Sequence, residues 1–187
     1  MATVSLSLDE IYKLANKTLL ANGCDQETAD ILSELITNAE RDGSLSHGLF
    51  RLPAYVSGLK SGKINGKQKP DIKKLTPSVI KADGKNCLAP VVLNKSIPEL
   101  VKAAKENGVA VLAIINSHHM AAMWPETEKI AEEGLVAFAC TSYKPAVAPA
   151  GAIKPLFGTN PISFAWPRKN NTPVAVSYTH LTLPTSR

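Results

Sequence analysis

Apolar residues at helical spacing open the chain. Leu8, Ile11, Ala15 and Leu19 recur every three or four positions, behind a Ser7/Glu10 pair with the spacing of a capping box, until Gly23 supplies a stop. Asp25 is placed to cap a second helix, in which Ala29, Leu32, Ile36 and Ala39 share a face and which ends near Asp42 and Gly43. Pro53 is tolerated in a first turn and not deep in a helix, so a short turn through His47 is expected before a third helix carrying Val56 and Leu59. Beyond residue 78 the pattern changes to short apolar runs bounded by turn residues. Residues 79–82 and 89–93 read as strands, and Ser96 with Glu99 opens a helix that stops at Gly108. Residues 109–115, VAVLAII, read as a buried strand, followed by a helix with Pro125 in its first turn and a second buried strand at 135–141. Two more short strands are expected at 162–166 and 174–176. Strand, helix, strand implies an α/β fold: an N-terminal helical segment followed by a mixed sheet with helices.

This pattern divides the chain into a helical segment at 1–62, a linker at 63–78, an α/β domain at 79–176 and a tail at 177–187. At 187 residues, 44% hydrophobic and 20% charged, the composition is that of an ordinary globular protein. The net charge of +5 changes the picture only when it is located. Residues 60–85 hold eight lysines against Asp71 and Asp83, so this stretch carries +6 and the remainder −1. No arginine or aromatic residue is interleaved with those lysines, and Gly62, Gly66, Pro70 and Pro77 lie among them, which fits a solvated linker and no nucleic-acid partner. Cys24, Cys87 and Cys140 are odd in number and far apart, which argues against a disulfide framework or a zinc site and suits a reducing compartment. No basic start leads into an apolar run and no window is long enough to span a bilayer, so a cytoplasmic protein without a membrane partner is expected.

Three stretches carry candidate chemistry. In DGSLSHGLFRLPAY, residues 42–55, Ser46, His47 and Arg51 bring together a hydroxyl, an imidazole that titrates near neutral pH and a guanidinium able to hold a carboxylate. Together they suggest proton transfer to a small acid, although a helix-capping histidine and a solvated arginine would give the same letters. NSHHMAAMW, residues 116–124, follows an expected strand, where α/β sheets commonly face ligands, and Ala121 and Ala122 are small enough for a flat ring or a phosphate to approach the backbone. His118 and His119 are too close together to bind one metal comfortably and lack other ligand spacing. KPLFGTNP, residues 154–161, presents Thr159 between the turn formers Gly158 and Asn160. GxGxxG, GxxxxGK[ST] and GxSxG are all missing.

SHGLFRLPAY, NSHHMAAMWPE and KPLFGTNPISFAWPR, in this order and at these distances, resemble the malate/L-lactate dehydrogenase family of NAD(P)H-dependent oxidoreductases, whose nicotinamide-binding fold is not a Rossmann fold. Within it, the SHH and WP of the second stretch, with DGSLSHGLFRLP, look most like the Δ1-piperideine-2-carboxylate/Δ1-pyrroline-2-carboxylate reductases. The resemblance implies that His47 donates the proton with help from Ser46, and that Arg51 clamps the substrate carboxylate. Thr159 would contact substrate, and His119, Met120, Ala121, Ala122 and Met123 would line the site for NADPH, or NADH. The reductases usually show an aromatic residue where Met120 stands and leucine where Met123 stands; both are apolar exchanges. The implied substrate is a small carboxylate, a cyclic imine acid or a 2-keto acid, and the implied full-length protein is a homodimer.

After residue 176 the resemblance fails. The family continues into an aspartate-led segment and a catalytic aspartate, whereas this chain reads SYTHLTLPTSR, so 177–187 is expected to be a non-native tail, with His180 incidental and about half of the family's length absent. Other readings stay open: a malate-, lactate- or ureidoglycolate-type 2-hydroxy acid dehydrogenase, a non-catalytic binding module keeping only half a site, and a metal-dependent lyase or hydrolase using His47, His118 and His119.

Overall fold

In a computed structural model of the chain, which describes residues 4–118 and 121–178, the two opening helices form where their caps lie. Ser7 Oγ accepts the Glu10 N–H at 3.3 Å and Glu10 Oε2 accepts the Ser7 N–H at 2.8 Å, so the capping box closes reciprocally and starts α1 (Leu8–Ala21). Asp25 Oδ1 accepts the Thr28 N–H at 2.9 Å and starts α2 (Gln26–Arg41). The two helices pack through Ile11, Ala15 and Leu19 against Ala29, Leu32 and Ile36. Asp30 Oδ1 joins them at the edge, accepting from Tyr12 Oη at 3.0 Å, Asn16 Nδ2 at 2.7 Å and Gln26 Nε2 at 2.8 Å. As the position of Pro53 predicts, the next helix is preceded by short turns: two 3-10 turns, Leu45–His47 and Leu49–Arg51, then α3 (Leu52–Lys60).

The segment expected as linker is not one. β1 (Asp71–Thr76) lies within it and pairs antiparallel with β2 (Val79–Asp83). Its lysines have partners: Lys73 meets Asp71 at 3.1 Å and Lys74 meets Glu99 at 3.7 Å. β1 reads DIKKLT, an edge strand that is exposed from Lys73 onward and carries its lysines in the strand itself, which a count of charges hides. The apolar run at 89–93 is also helix, not strand. α4 (Ala89–Asn107) starts there, with Pro90 in its first turn, Val91 and Val92 fully buried, and Ser96 in mid-helix instead of at a cap. A run of five apolar residues fits a buried helical turn as well as a strand, and the proline decides for the helix. The helix ends as expected at Gly108, whose φ of +80° glycine adopts without a Cβ penalty.

α4 carries the chain to β3 (Val111–Ile115), which runs parallel to β2, giving a mixed sheet in the order β1-β2-β3. β3 is not the buried strand its composition suggests. It is an edge strand with Val111 more than half exposed, and only Leu112 and Ile114 reach the core.

Contacts divide the chain at Ala121/Ala122, not in the lysine-rich stretch. The second unit begins with α5 (Trp124–Glu132), with Pro125 in its first turn as expected. β4 (Ala137–Cys140), β5 (Ile162–Arg168) and β6 (Asn171–Tyr178) form an antiparallel sheet in that order. Its small residues Ala137, Ala165 and Ala175 stand in register, and α5 is tied to the same face by the 2.7 Å hydrogen bond between Thr127 Oγ1 and Ser163 Oγ. On the opposite face Phe138, Phe164 and Val176 align beside Trp166 and Val174; of these, Phe138 is 62% and Trp166 54% exposed. β4, too, was expected to be buried, and its outer face is open. Ser177 and Tyr178, assigned from sequence to the tail, belong to β6 and pair with Ser163 and Ile162 of β5; the rest of that segment, His180 included, lies outside the described residues.

An ion cluster ties the start of α2 to the segment entering β1. Lys69 Nζ lies 2.9 Å from Asp25 and 2.6 Å from Glu27, and Lys95 also meets Glu27. Hydrogen bonds from Lys69 and Lys95 hold the Glu27 carboxyl below its ordinary range. For Asp25, desolvation is the largest influence and pushes upward, but bonds from Lys69 and Thr28 together outweigh it and leave the carboxyl low. Carboxylates depressed in the folded state add stability above their unfolded pKa, about 4, and lose it as pH falls through the folded values. Lys69→Met should therefore lower the melting temperature at neutral pH, and the difference from wild type should vanish as melts are repeated below about pH 4. A difference that persists in acid would mean that Lys69 acts by packing.

Candidate active site

The end of α2 brackets the segment that carries His47. Ahead of it, Ser44 N–H donates to Ala39 O at 2.8 Å; behind it, Leu49 N–H donates to Glu40 Oε1 at 2.7 Å. Between these anchors the chain makes the first 3-10 turn, with His47 N–H on Ser44 O at 2.8 Å. Ser44 Oγ and Ser46 Oγ each lie 3.1 Å from His47 Nδ1. The sequence pointed to Ser46 for this contact and missed Ser44, whose signal is its position three residues before the histidine, one 3-10 turn away. Two hydroxyls thus engage Nδ1.

Gly48 separates the two turns and leaves space that the Glu40 side chain fills. A Cβ there would lie 2.1 Å from Glu40 Oε1, so the carboxylate that holds Leu49 N–H rests directly on the glycine. Gly48→Ala should displace Glu40 and cost about 1–2 kcal/mol, the scale of one charge-assisted hydrogen bond. Glu40→Ala should cost a similar amount, and the double variant clearly less than the sum, since both changes remove the same bond. Denaturant unfolding of the three variants checks this; additive losses would mean that the glycine is needed for another reason.

Arg51 ends the second 3-10 turn, four residues from His47, and the two do not share one helical turn because Gly48 divides them. Its Nε is buried without a hydrogen-bond partner among the described residues. Next on this face is Tyr55, fully buried, its hydroxyl also lacking a partner there. Burial pushes the Tyr55 hydroxyl well above its ordinary range, and the Arg51 charge opposes this only in part. A buried guanidinium N–H with no acceptor costs free energy unless an anion or water meets it.

The second stretch lies at the carboxyl ends of a parallel pair, β2 and β3, as its position after an expected strand suggested. Asn116 opens it with φ +50°, a conformation asparagine tolerates. Its carbonyl accepts the Asn86 N–H at 2.8 Å, and its Nδ2 donates to Asp83 Oδ1 at 3.1 Å. His118 N–H donates to Cys87 O at 3.1 Å and His118 O accepts Ala89 N–H at 2.9 Å, so the loop is stitched to the start of α4. His119 and Met120 lie outside the described residues. Ala121 closes the first unit; Ala122 and Met123 open the second, and all three are buried.

Thr159 belongs to the second unit. Its neighbours in GTNP have structural duties: a Cβ on Gly158 would meet Tyr143 O at 2.1 Å, and Asn160 Oδ1 accepts the Tyr143 N–H at 3.0 Å. Ser46, His47 and Arg51 lie on two consecutive 3-10 turns of the first unit, with Ser44 at the His47 ring and Glu40 on the Leu49 N–H between them. Among the described residues no group of three or more His, Cys, Asp or Glu side chains could hold a metal ion, and no helix is long and apolar enough to cross a membrane.

His47, with two hydroxyls at Nδ1, and Arg51, whose buried Nε lacks a partner among the described residues, thus stand on consecutive 3-10 turns. A profile of the malate/L-lactate dehydrogenase family matches residues 6–178, and the chain belongs to that family. It is 39% identical over 178 residues to Delta(1)-pyrroline-2-carboxylate reductase 1 of Burkholderia ambifaria, covering 95% of this chain and 52% of that protein. It is 41% identical over 172 residues to the Delta(1)-pyrroline-2-carboxylate/Delta(1)-piperideine-2-carboxylate reductase of Pseudomonas syringae, covering 92% and 50%. The crystal structure of delta1-piperideine-2-carboxylate reductase from the same species matches with a TM-score of 0.87 and 40% identity over 94% of this chain and 53% of that one. Malate dehydrogenase from Pyrococcus horikoshii matches at 0.86 with 31% identity, over 93% and 50%. The chain spans about half the length of the curated relatives it matches.

Proposed function

We propose that this chain supplies the proton-donating and carboxylate-binding half of an NAD(P)H-dependent reductase whose substrate is a cyclic imine acid, Δ1-piperideine-2-carboxylate or Δ1-pyrroline-2-carboxylate, or a small 2-keto acid. The observation that carries this reading is the juxtaposition of His47, held through Nδ1 by two hydroxyls, with Arg51, whose buried Nε has no partner among the described residues. In such substrates the carboxylate sits on the carbon that accepts hydride, and the imine nitrogen or keto oxygen is bonded to that same carbon. One group must hold the acid while another delivers a proton one atom away. Arg51 meets the first need with a charge-assisted pair, and His47 Nε2 meets the second as negative charge develops. The names of the 39–41% identical relatives support an imine acid over a hydroxy acid.

A bound nicotinamide supplies the hydride. Its site is assigned to residues 119–123, which follow the carboxyl end of β3 and in which Ala121 and Ala122 carry nothing beyond Cβ. Thr159 is assigned to substrate. The fold around the nicotinamide is of the non-Rossmann type, the cofactor is NADPH, the whole protein is a cytoplasmic homodimer, and residues corresponding to the other half of the relatives' length complete the site.

The test is NADPH consumption, followed optically, with Δ1-piperideine-2-carboxylate, Δ1-pyrroline-2-carboxylate and pyruvate. It is run on this chain and on a protein in which residues 1–178 are followed by the remaining half of a relative. Imine reduction exceeding oxidation of malate and lactate is expected in the longer protein. The reverse order of activities would replace the imine acid by a hydroxy acid.

A further inference from the structure

Two hydroxyls converge on His47 Nδ1, and they are not equivalent. Ser46 is exposed, and water can replace it as a partner of the ring. Ser44 is part-buried and its backbone is fixed on both sides, by its N–H on Ala39 O and by its carbonyl under the His47 N–H, each at 2.8 Å. Its hydroxyl is therefore presented to the ring by the end of α2, while Ser46 moves with the turn it stands on.

We propose that Ser44 is a positioning residue for His47, accepting the Nδ1–H hydrogen bond and so fixing the proton to be transferred at Nε2. The proposal rests on the reading of His47 as proton donor. The imidazolium carries a hydrogen on each nitrogen. When the Nε2–H bond breaks and that proton passes to the substrate nitrogen or oxygen, the neutral ring keeps its other proton on Nδ1. Which ring nitrogen holds the proton is set by the hydrogen bond at the other position, and a fixed acceptor at Nδ1 favours both the cation before transfer and this tautomer after it. Without the acceptor the ring would give up its charge more readily and drift toward the opposite tautomer. The charged groups on the neighbouring elements, Glu40, Arg41 and Asp42 at the end of α2 and Arg51 on the second 3-10 turn, are the same in every serine variant, so comparison among variants isolates the hydroxyl.

The experiment is a titration of the histidine ring nitrogens by NMR on the 187-residue chain itself, with His118, His119 and His180 assigned by single replacement. Ser44→Ala should lower the His47 midpoint by about half a pH unit to one unit, the effect of one hydrogen bond to a charged group at a part-exposed position, and should move the neutral ring toward Nε2–H. Ser44→Cys, which keeps the size and weakens the acceptor, should do the same; Ser44→Thr, which keeps the hydroxyl, should restore wild-type values; Ser46→Ala should give the smaller shift. Backbone amide spectra should match wild type outside residues 43–49. An unmoved midpoint and tautomer in both Ser44→Ala and Ser44→Cys, or a larger effect from Ser46→Ala, would overturn the proposal. Because the readout needs neither substrate nor turnover, it stands or falls separately from the catalytic role of His47.

Discussion

In an active protein that contains this sequence, His47→Ala is expected to lower turnover by about 10²–10⁴, the range for loss of a general acid, while NADPH binding followed by fluorescence persists. The proton is needed as charge builds on the nitrogen or oxygen beside the carbon receiving hydride, so the loss appears in kcat more than in KM. The fold should tolerate the change: no residue of the first 3-10 turn is buried, and the anchors on either side run through Ser44 and Leu49. Near-normal turnover of Δ1-piperideine-2-carboxylate and pyruvate across neutral pH would make His47 a structural histidine, and the donor would have to be found elsewhere.

Arg51→Ala should fail differently. A carboxylate is held in the ground state and the transition state alike, so its loss raises KM, with about 2–4 kcal/mol of binding removed because a charge-assisted contact disappears and the carboxylate is left unmatched. Stability should move little or even rise, since the variant removes a buried Nε–H that has no partner among the described residues. A fall in kcat at unchanged KM would shift Arg51 from substrate capture to the chemistry itself. Lysine at the position should recover charge without the fork geometry and restore only part of the affinity.

Where the sequence carried a local physical rule the fold was legible, except at Ser96 and Glu99, whose capping spacing falls inside α4. The Ser7/Glu10 box, the Asp25 cap, Pro53, Pro125 and Gly108 each mark an element boundary that the structure keeps, because caps and prolines act within one turn of themselves. Residues 89–93 were misread because a short apolar run fits a buried helical turn as well as a strand, and β3 and β4 because their burial is not a local property. Apolar content does not say whether a neighbour covers one face or two, and that depends on strand order. The candidate site was legible at Ser46, His47 and Arg51 through residue chemistry. Ser44 and Glu40 were not, since a serine three positions back and a glutamate nine positions before Leu49 matter only once the 3-10 turn and the α2 terminus set their directions.

The open face of the β4-β5-β6 sheet gives the molecule an optical reporter. Trp166 stands on it, 54% exposed, with its ring centroid 3.9 Å from that of Phe164 at an interplanar angle of 68°. An indole in contact with water emits at longer wavelength than one enclosed by hydrocarbon. Whatever comes to cover Phe138, Val174 and Val176 will therefore shift the Trp166 emission to the blue and shield it from a dissolved quencher such as iodide. Trp124, at the start of α5, supplies a second signal that Trp166→Phe leaves behind, so association on this face can be followed by colour alone, without a label and before any activity is measured.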